Sequence, residues 1–520
     1  MLSPLIAGAG RRRWRRSPAA RTLCLLAAVS AAWCITGCRR SPDTAPDADT
    51  LRIGFLTGGE GVKFITESLY TDTLLVIDWQ GRPAVALADE WTWENEDRTL
   101  RLQLHPGVRF HDGTAVTGEI VASILRARIA QMRAKDRGAA FDAVKQIEAL
   151  DTGSLVFRLS RPDAFLIGAI ADVPIVDPAK DRIGTGPFKL LKTSTVEAIR
   201  NDEYYRGRPG IARVRVQFYE TLRSASVALM KSEVDLVPEI SRESIEFLRG
   251  ASRVELYPSI RPYYIPLVFN LRHPILGRVE VRRAIAEAID RDEIVRKAMR
   301  GHGQTADDPV WPAHWAYNPA GRRYAYNPAA ARLRLDAAGL PITEPPPGSH
   351  RMASRFQIAC LFLNPDSQFE RIGLLLQRQL ADVGIDLVLE GTTQKSLEAR
   401  VQAGDFTTYV YQMAGGRSFD WTYRFWHSPA TKSAALQNTG YTAADDVLDR
   451  LRNVGSEAEI RTAVGDLRER FYEDVPAAFL AWMQYTRGVD ARFDVGDRLN
   501  REILANLWRW RVSPAVRAAR

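Results

Sequence analysis

An imidazole beside a carboxylate can move a proton or help hold a metal ion, and the adjacent His111-Asp112 is the first place in this chain where such residues meet. No third ligand lies nearby, and Gly113 follows at once. An Asp that bonds its own backbone, then a Gly free to take positive φ, reads as a turn. The seven histidines are otherwise scattered, with no H-E-x-x-H, no paired C-x-x-C and no G-x-S-x-G. Gly184-Thr185-Gly186-Pro187 lacks the third glycine or the Lys-Ser/Thr pair of a phosphate loop, so it too reads as a tight turn. No catalytic residue, metal site or cofactor is expected, and the chain is not expected to be an enzyme.

The elements around His111 show what must position such residues. Leu100, Leu102 and Leu104 alternate with polar residues as a half-buried strand. His105-Pro106-Gly107 then turns the chain towards a second short strand, Val108 to Phe110, giving an expected hairpin. Thr117 is placed to cap a helix whose apolar stripe is Ile120, Val121, Ile124 and Leu125, with Glu119 in the first turn where the helix dipole favours an anion.

At 520 residues, 46% hydrophobic and 26% charged, the chain has the make-up of a globular protein with two or three domains. Its formal charge of +9 is misleading: six arginines lie before residue 38, where there is no acid, leaving 65 Lys and Arg against 62 Asp and Glu. A nucleic-acid partner is not indicated.

Those arginines, Arg11 to Arg21, precede an apolar run of 13 residues, Leu23 to Ile35, too short for a membrane-spanning helix of about 20 residues. Residues 1–37 therefore read as an export signal. Ile35-Thr36-Gly37-Cys38 looks like a lipobox, in which the Cys is lipidated and becomes the first residue of the mature chain. Residues 38–50, rich in Pro, Asp and Thr, are expected to be a disordered tether with a reach of about 20 Å. Cys360 would be left without a disulfide partner.

Several stretches together carry a family signal. Pro83 to Trp93 (PAVALADEWTW), Arg101 to Leu125 (RLQLHPGVRFHDGTAVTGEIVASIL) and Gly184 to Leu190 (GTGPFKL) follow one another in order. This series resembles the family 5 extracellular solute-binding proteins, the receptors of peptide-type ABC importers, with Gly118 and Ile120 standing where Ala and Asp are usual. Arg200 to Glu220, Val279 to Val295 (VEVRRAIAEAIDRDEIV), Tyr326 to Leu340 and Asp474 to Phe479 extend the likeness along the chain. The resemblance implies an α/β, two-lobed periplasmic-binding-protein-like fold (type II, cluster C) with an extra subdomain in the first lobe. It places the first lobe at 51–262 with the inserted subdomain at about 83–183, the second lobe at 263–485, and a return to the first lobe at 486–520.

Within that frame, Leu51, Ile53 and Phe55 alternate as a first strand, and Gly58, Gly59 and Glu60 follow as a loop expected at the edge of the ligand cleft. Asp235 is read as a strand-entry turn. Tyr263 to Asn270 is expected to cross into the second lobe. From Phe356 to Met413, strands and helices alternate, which implies a parallel sheet with right-handed crossovers and ligands at the carboxyl ends of its strands.

That rule selects Met413 and the loop after it, Gly415, Gly416, Arg417, Phe419, Asp420 and Trp421, as expected ligand-binding residues. In peptide-binding relatives the matching loop supplies an Asp for the ligand's α-ammonium, because a buried ammonium must be paired. Here Asp420 reads either as that residue or as an N-cap for the helix from Trp421. Dipeptide receptors also place an Arg for the ligand carboxylate after the 356–362 strand; Leu363 to Ser367 contains no cation, and Arg417 is the local substitute. Tyr485, near a second crossing, is expected to line the cleft. Leu507 to Trp510 are expected to pack the first lobe.

The expected function is a substrate-binding lipoprotein on the periplasmic side of a bacterial membrane. It would be anchored at Cys38 and would capture a peptide or related small polar solute for ABC permease subunits. The alternative is a sensory or scaffold lipoprotein of the same fold that does not transport.

Overall fold

A computed structural model describes residues 49–57, 67–134, 139–176, 183–192, 196–345, 353–428, 438–496 and 504–513. The export signal, Cys38 and the tether up to residue 48 lie outside this range, as do Gly58, Gly59 and Glu60. No helix among the described residues is long and apolar enough to cross a membrane.

The first strand, β1 (Thr50–Leu56), buries Leu51 and Ile53 as its alternation requires. The chain then builds a four-stranded antiparallel sheet of its own from β2 (Ala88–Glu94), β3 (Thr99–Leu104), β4 (Val144–Ala149) and β5 (Ser154–Leu159), in the order β2-β3-β5-β4. Helix α1 (Gly118–Ala134) lays Val121, Ile124, Leu125 and Ile129 on it, against Leu100, Leu102, Leu155 and Phe157. The short α2 (Leu166–Ala171) closes this inserted segment.

The expected hairpin of Val108 to Phe110 with β3 does not form. Both edges of β3 are already taken, by β2 and β5, which offer five or more paired positions each. Val108 and Phe110 are buried all the same, and Arg109 makes a single bridge to Ala115. The His111 turn is present: Thr114 N donates to Asp112 Oδ1 at 3.0 Å and Gly113 has φ +86°.

Next come β6 (Phe188–Lys192), β7 (Glu197–Arg200), β8 (Arg213–Tyr219), α3 (Leu222–Met230), β9 (Leu236–Val237) and α4 (Arg242–Arg249). After them β10 (Val254–Phe269) is one long strand, followed by α5 (Val279–Ala288), β11 (Gly303–Thr305) and α6 (Pro328–Ala337). The alternating region gives β12 (Phe356–Leu363), α7 (Ser367–Ala381), β13 (Ile385–Thr392), α8 (Gln394–Ala403), β14 (Thr408–Val410), β15 (Met413–Ala414) and α9 (Asp420–Trp426). The chain ends through α10 (Asp445–Asn453), α11 (Glu457–Asp474) and the long β16 (Ala477–Asp490).

One sheet joins these strands in the order β13-β12-β14-β10-β16-β9-β1-β8-β7-β6, with β15 on β10 and β11 on β16. The strands β10 and β16 form an antiparallel pair from Val254–Asp490 to Val268–Ala477, and that pair belongs to both halves of the sheet. The expected boundaries at 262/263 and 485/486 thus fall inside strands. Residues 51–520 cluster as one unit.

Several polar residues serve the frame. Asp235, fully buried, pairs with Arg52 at 2.7 Å and Arg492 at 2.9 Å, closing β1, β9 and the chain's end together. Gly184 and Gly186 press on Tyr70, where a Cβ on Gly184 would sit 1.9 Å from the Tyr70 carbonyl oxygen. His111 N donates to Gly184 O, and its Nε2 lies 2.9 Å from Gly186 O, so the two sequence motifs meet. Cys360 is a buried free thiol, pushed up to about 12 by burial. Leu507 and Trp510 are buried with Leu51 and Ile53.

Candidate functional site

Strand register locates the site. β12, β13 and β14 are parallel, and α7 packs on one face of them with Phe369, Ile372 and Leu376 while α8 packs on the other with Leu397 and Val401. The connections therefore part between β12 and β14, and in open sheets of this kind such a parting is where a ligand crevice forms, at the carboxyl ends of the strands. In the other half, β1 and β9 are parallel and end at Leu56 and Val237. β14 runs antiparallel to β10, meeting it from Phe269 back to Leu267, with β15 continuing to Tyr264 and Tyr263. β9 pairs with β16 at the level where β16 pairs with Leu256, and the chain then runs on to Glu239. The carboxyl ends of the two sets therefore face each other along β10, one stopping by Leu256 and the other by Leu267, with residues 260–263 between them.

At that level the β10–β16 register is broken between Ile260 and Tyr264, releasing Arg261, Pro262 and Tyr263 from the ladder. The Arg261 guanidinium lies 4.2 Å from the centre of the Tyr485 ring, and Tyr263 is 37% exposed. Glu239 joins them. Burial raises its carboxyl above the ordinary range, while Arg261, Arg242 and Arg487 pull the other way and Asp366 adds to the rise. Asp366 caps α7 by accepting from Gln368 N at 2.8 Å. A cavity of about 340 Å³ borders the crossing strands at Pro258, His302, Gln484 and Thr486. A larger groove of about 700 Å³ lies elsewhere, between α5 and α6 at Glu280, Leu333 and Arg334.

The loop from Ala414 to Trp421 folds over the same crossing. Gly415 N and Gly416 N both reach Pro262 O, at 2.7 and 3.3 Å. Gly415 must be glycine, since a Cβ would come within 2.7 Å of the Trp482 ring. Trp482 is the end of an edge-to-face column that runs through Trp311 to Trp79, with centroids 5.3 and 4.8 Å apart. Arg417 Nη1 donates to Ile77 O at 2.9 Å, tying the loop to the segment before β2. Phe419 is buried against His314, whose imidazole burial holds neutral with its pKa pushed down to about 3.

Asp420 is the first residue of α9, and the N-cap position belongs to Phe419 with no side-chain cap bond. Its carboxylate pairs instead with Arg424 at 2.9 Å, one turn on. The N-cap expectation is corrected accordingly: the helix starts one residue early because Phe419 anchors it in the core. Asp172, just past α2, faces this group, and burial, with the like charge of Asp420 added, raises its carboxyl to about 6 against the pull of Arg417 and Arg424. Trp421 stacks on Phe425 at 5.8 Å. Met413 is buried with Tyr264 and Trp426, packing the core beneath the loop.

Among the described residues no cluster of His, Cys, Asp or Glu could hold a metal ion. Residues 82–434 match the model of the bacterial extracellular solute-binding proteins, family 5.

The chain belongs to that family.

Its similarity to individual family 5 proteins is modest in sequence and extensive in structure. It is 25% identical over 344 residues to the probable D,D-dipeptide-binding periplasmic protein DdpA of Escherichia coli K12, covering 62% of this chain and 63% of DdpA, a little under two thirds of that relative's length. It is 22% identical over 407 residues to the oligopeptide-binding protein AppA of Bacillus subtilis 168, covering 73% of this chain and 74% of AppA. The structure of NikA from Brucella suis in complex with Fe(III)-EDTA superimposes with a TM-score of 0.78 at 19% identity, over 89% of this chain and all of NikA. The fold is thus the type II periplasmic-binding-protein fold.

In this family 5 protein the structure brings Arg417 of the loop next to Asp420 and Trp421 in the first turn of α9 and sets Tyr485 beside Arg261. Sequence reasoning missed Arg261, Glu239 and Asp172. Arg261 lies just ahead of the expected crossing strand, Tyr263 to Asn270, because β10 begins at Val254 and runs through Pro258 and Pro262, residues unfavourable in a central strand. Asp172 and Glu239 follow short, featureless elements, and only the folded register brings them to the site.

Proposed function

We propose that this protein is the substrate-binding component of an ABC importer. It captures a peptide or a related small polar solute between the two halves of its sheet, at the level of Arg261 to Tyr263, and delivers it to permease subunits on the periplasmic side of a bacterial membrane. The observation that carries this reading is that two sets of parallel strands, from opposite halves, point their carboxyl ends at each other along the shared strand β10, leaving residues 260–263 between them. A pair of shared strands can flex as a hinge, and closure of the halves would sequester the solute. The ligand-lining residues are taken to be Gly58, Gly59, Glu60, Gly415, Gly416, Arg417, Asp420, Trp421 and Tyr485, with Met413 and Phe419 supporting the loop from below. We take the family match as support for binding without catalysis, and the Ile35-to-Cys38 segment as support for lipid anchoring at Cys38.

Native mass spectrometry of the full chain, released gently from detergent, tests the reading. The expected result is a small co-purified molecule that leaves at modest collision energy. A chain that retains nothing and shows no ligand-induced change in tryptophan fluorescence across a peptide library would overturn it.

A further inference from the structure

The cavity of about 340 Å³ beside the crossing strands does not lie on the face that carries Arg261 and Tyr485. In the β10–β16 ladder Ser259 pairs with Tyr485, Pro258 with Thr486 and Ile260 with Gln484. Neighbouring residues of a strand point to opposite faces, so Pro258, Gln484 and Thr486 turn away from the Tyr485 ring and into this cavity.

Its lining is of two kinds. Ile245 of α4 and Val254, Leu256 and Pro258 of β10 make an apolar side, while His302, Gln484, Thr486 and Arg249 make a polar one. Thr486 is only 5% exposed, and its hydroxyl makes no hydrogen bond among the described residues. Gln484 Nε2 lies 3.4 Å from His302 Nδ1, and an amide N–H donating there leaves the proton of the neutral imidazole on Nε2. The polar side can thus donate from a ring nitrogen and a hydroxyl.

Charge is one-sided as well. Burial lowers the pKa of His302, and Arg242, Arg249 and Arg300 lower it further, with Glu246 opposing them. Glu246 pairs with Arg249 at 2.8 Å and Glu243 lies 3.9 Å from Arg300, so two of the three cations are offset and one positive charge is left over. Apolar walls with a few convergent polar groups are the usual form of a small-molecule site. A surplus of one positive charge favours a monoanion over a neutral occupant.

We propose that this cavity is a second ligand site, separate from the solute cleft, and that it takes a small carboxylate with an apolar body. The carboxylate lies on the side of Arg242, His302 and Thr486, and the apolar body lies against Ile245, Leu256 and Pro258.

Titration calorimetry on the full chain in a non-ionic detergent tests it, with 2-naphthoate as the probe and 2-naphthamide as its neutral counterpart. The expected result is one saturable site for the acid, at least tenfold tighter than for the amide. Leu256→Trp, which puts an indole into the cavity, should abolish binding of both. Arg242→Gln, at a partly exposed position, should bring the acid to the level of the amide. Arg261→Gln, on the opposite face, should leave both unchanged. A wild type that binds no naphthoate, or binds acid and amide alike, would overturn the proposal. Loss on Arg261→Gln with none on Leu256→Trp would overturn it too, since the probe would then sit in the cleft. The site does not rest on the solute-binding reading, and every one of these outcomes leaves that reading to its own test.

Discussion

The Asp163 carboxylate, completely buried, lies 3.2 Å from Arg452 Nη2 and so ties the end of the inserted segment to α10. The bond is not isolated. Ala164 N donates to Arg452 O at 2.8 Å, Arg161 Nη1 donates to Asn453 Oδ1 at 2.6 Å, and the Arg452 guanidinium lies over Tyr423 at 5.3 Å. Removing one partner of a buried pair strands the other charge and costs about 3–5 kcal/mol, whereas replacing both with apolar groups can be nearly neutral. Arg452→Met should therefore lower the unfolding free energy by about 3 kcal/mol, and Asp163→Leu with Arg452→Met by clearly less than the sum of the single changes. Denaturant titration with a double-mutant cycle measures this; additive effects would mean that the pair is not coupled as the geometry requires.

The alternation of Leu51 and Ile53, that of Leu100, Leu102 and Leu104, and the stripe of Val121, Ile124 and Leu125 were each legible because a local period reports a local burial pattern. The strand-helix alternation after Phe356 likewise announced a parallel sheet. What could not be read depended on partners far along the chain. Asp235 looked like a turn residue, yet Arg52 and Arg492, 183 and 257 residues away, make it a buried ion-pair centre. Val108 to Phe110 looked like a hairpin strand, and only the occupied edges of β3 exclude it. The candidate site shares this dependence: its loop was found from strand order, while Arg261 and Glu239 become neighbours through a register that no local pattern encodes.

Gly184 tests whether the Gly-Thr-Gly-Pro segment is architecture. Its missing side chain lets Tyr70 O approach to where a Cβ would be 1.9 Å away, a distance that side-chain rotation cannot relieve because the obstacle is backbone. Gly184→Ala should destabilise the chain by about 1–3 kcal/mol, the usual range for overpacking a rigid contact. Solute affinity of the folded fraction should be unchanged. A variant with wild-type stability and weakened binding would place this turn in the cleft.

Asp72 gives a pH dependence of definite sign. Burial pushes its carboxyl up to about 6 from an ordinary 3.8, although Tyr204 Oη and Thr185 Oγ1 donate to it at 3.0 and 3.1 Å. The folded state therefore holds this proton more tightly than the unfolded one. Its contribution to stability is full below about pH 4 and is lost as the pH rises through about 6, an effect on the order of 2–3 kcal/mol. Asp72→Asn should flatten the stability profile between those pH values, as read from denaturant midpoints at fixed ionic strength. A profile unchanged by the substitution would show that Asp72 titrates normally.

Arg417 offers a kinetic test of closure. Its bond to Ile77 O at 2.9 Å runs from the loop after β15 to the segment before β2, so it exists when the two parts are together and is broken when they separate. A contact made only in the closed form adds to the barrier for ligand escape and contributes little to encounter, and affinity changes at one interface fall mostly on the off-rate. Arg417→Ala should weaken solute binding at least tenfold, about 1.4 kcal/mol, with the loss in dissociation and the association rate within a factor of two or three. Stopped-flow tryptophan fluorescence can follow both rates, because Trp79, Trp311 and Trp482 form a column between Ile77 and Gly415 that closure would disturb. Asp420→Asn, which loosens the Arg424 pair within one helix turn, should act on affinity without the same bias towards dissociation. If Arg417→Ala slowed association instead, the residue would be steering the solute in rather than holding the door, and the loop would belong to the entrance of the cleft.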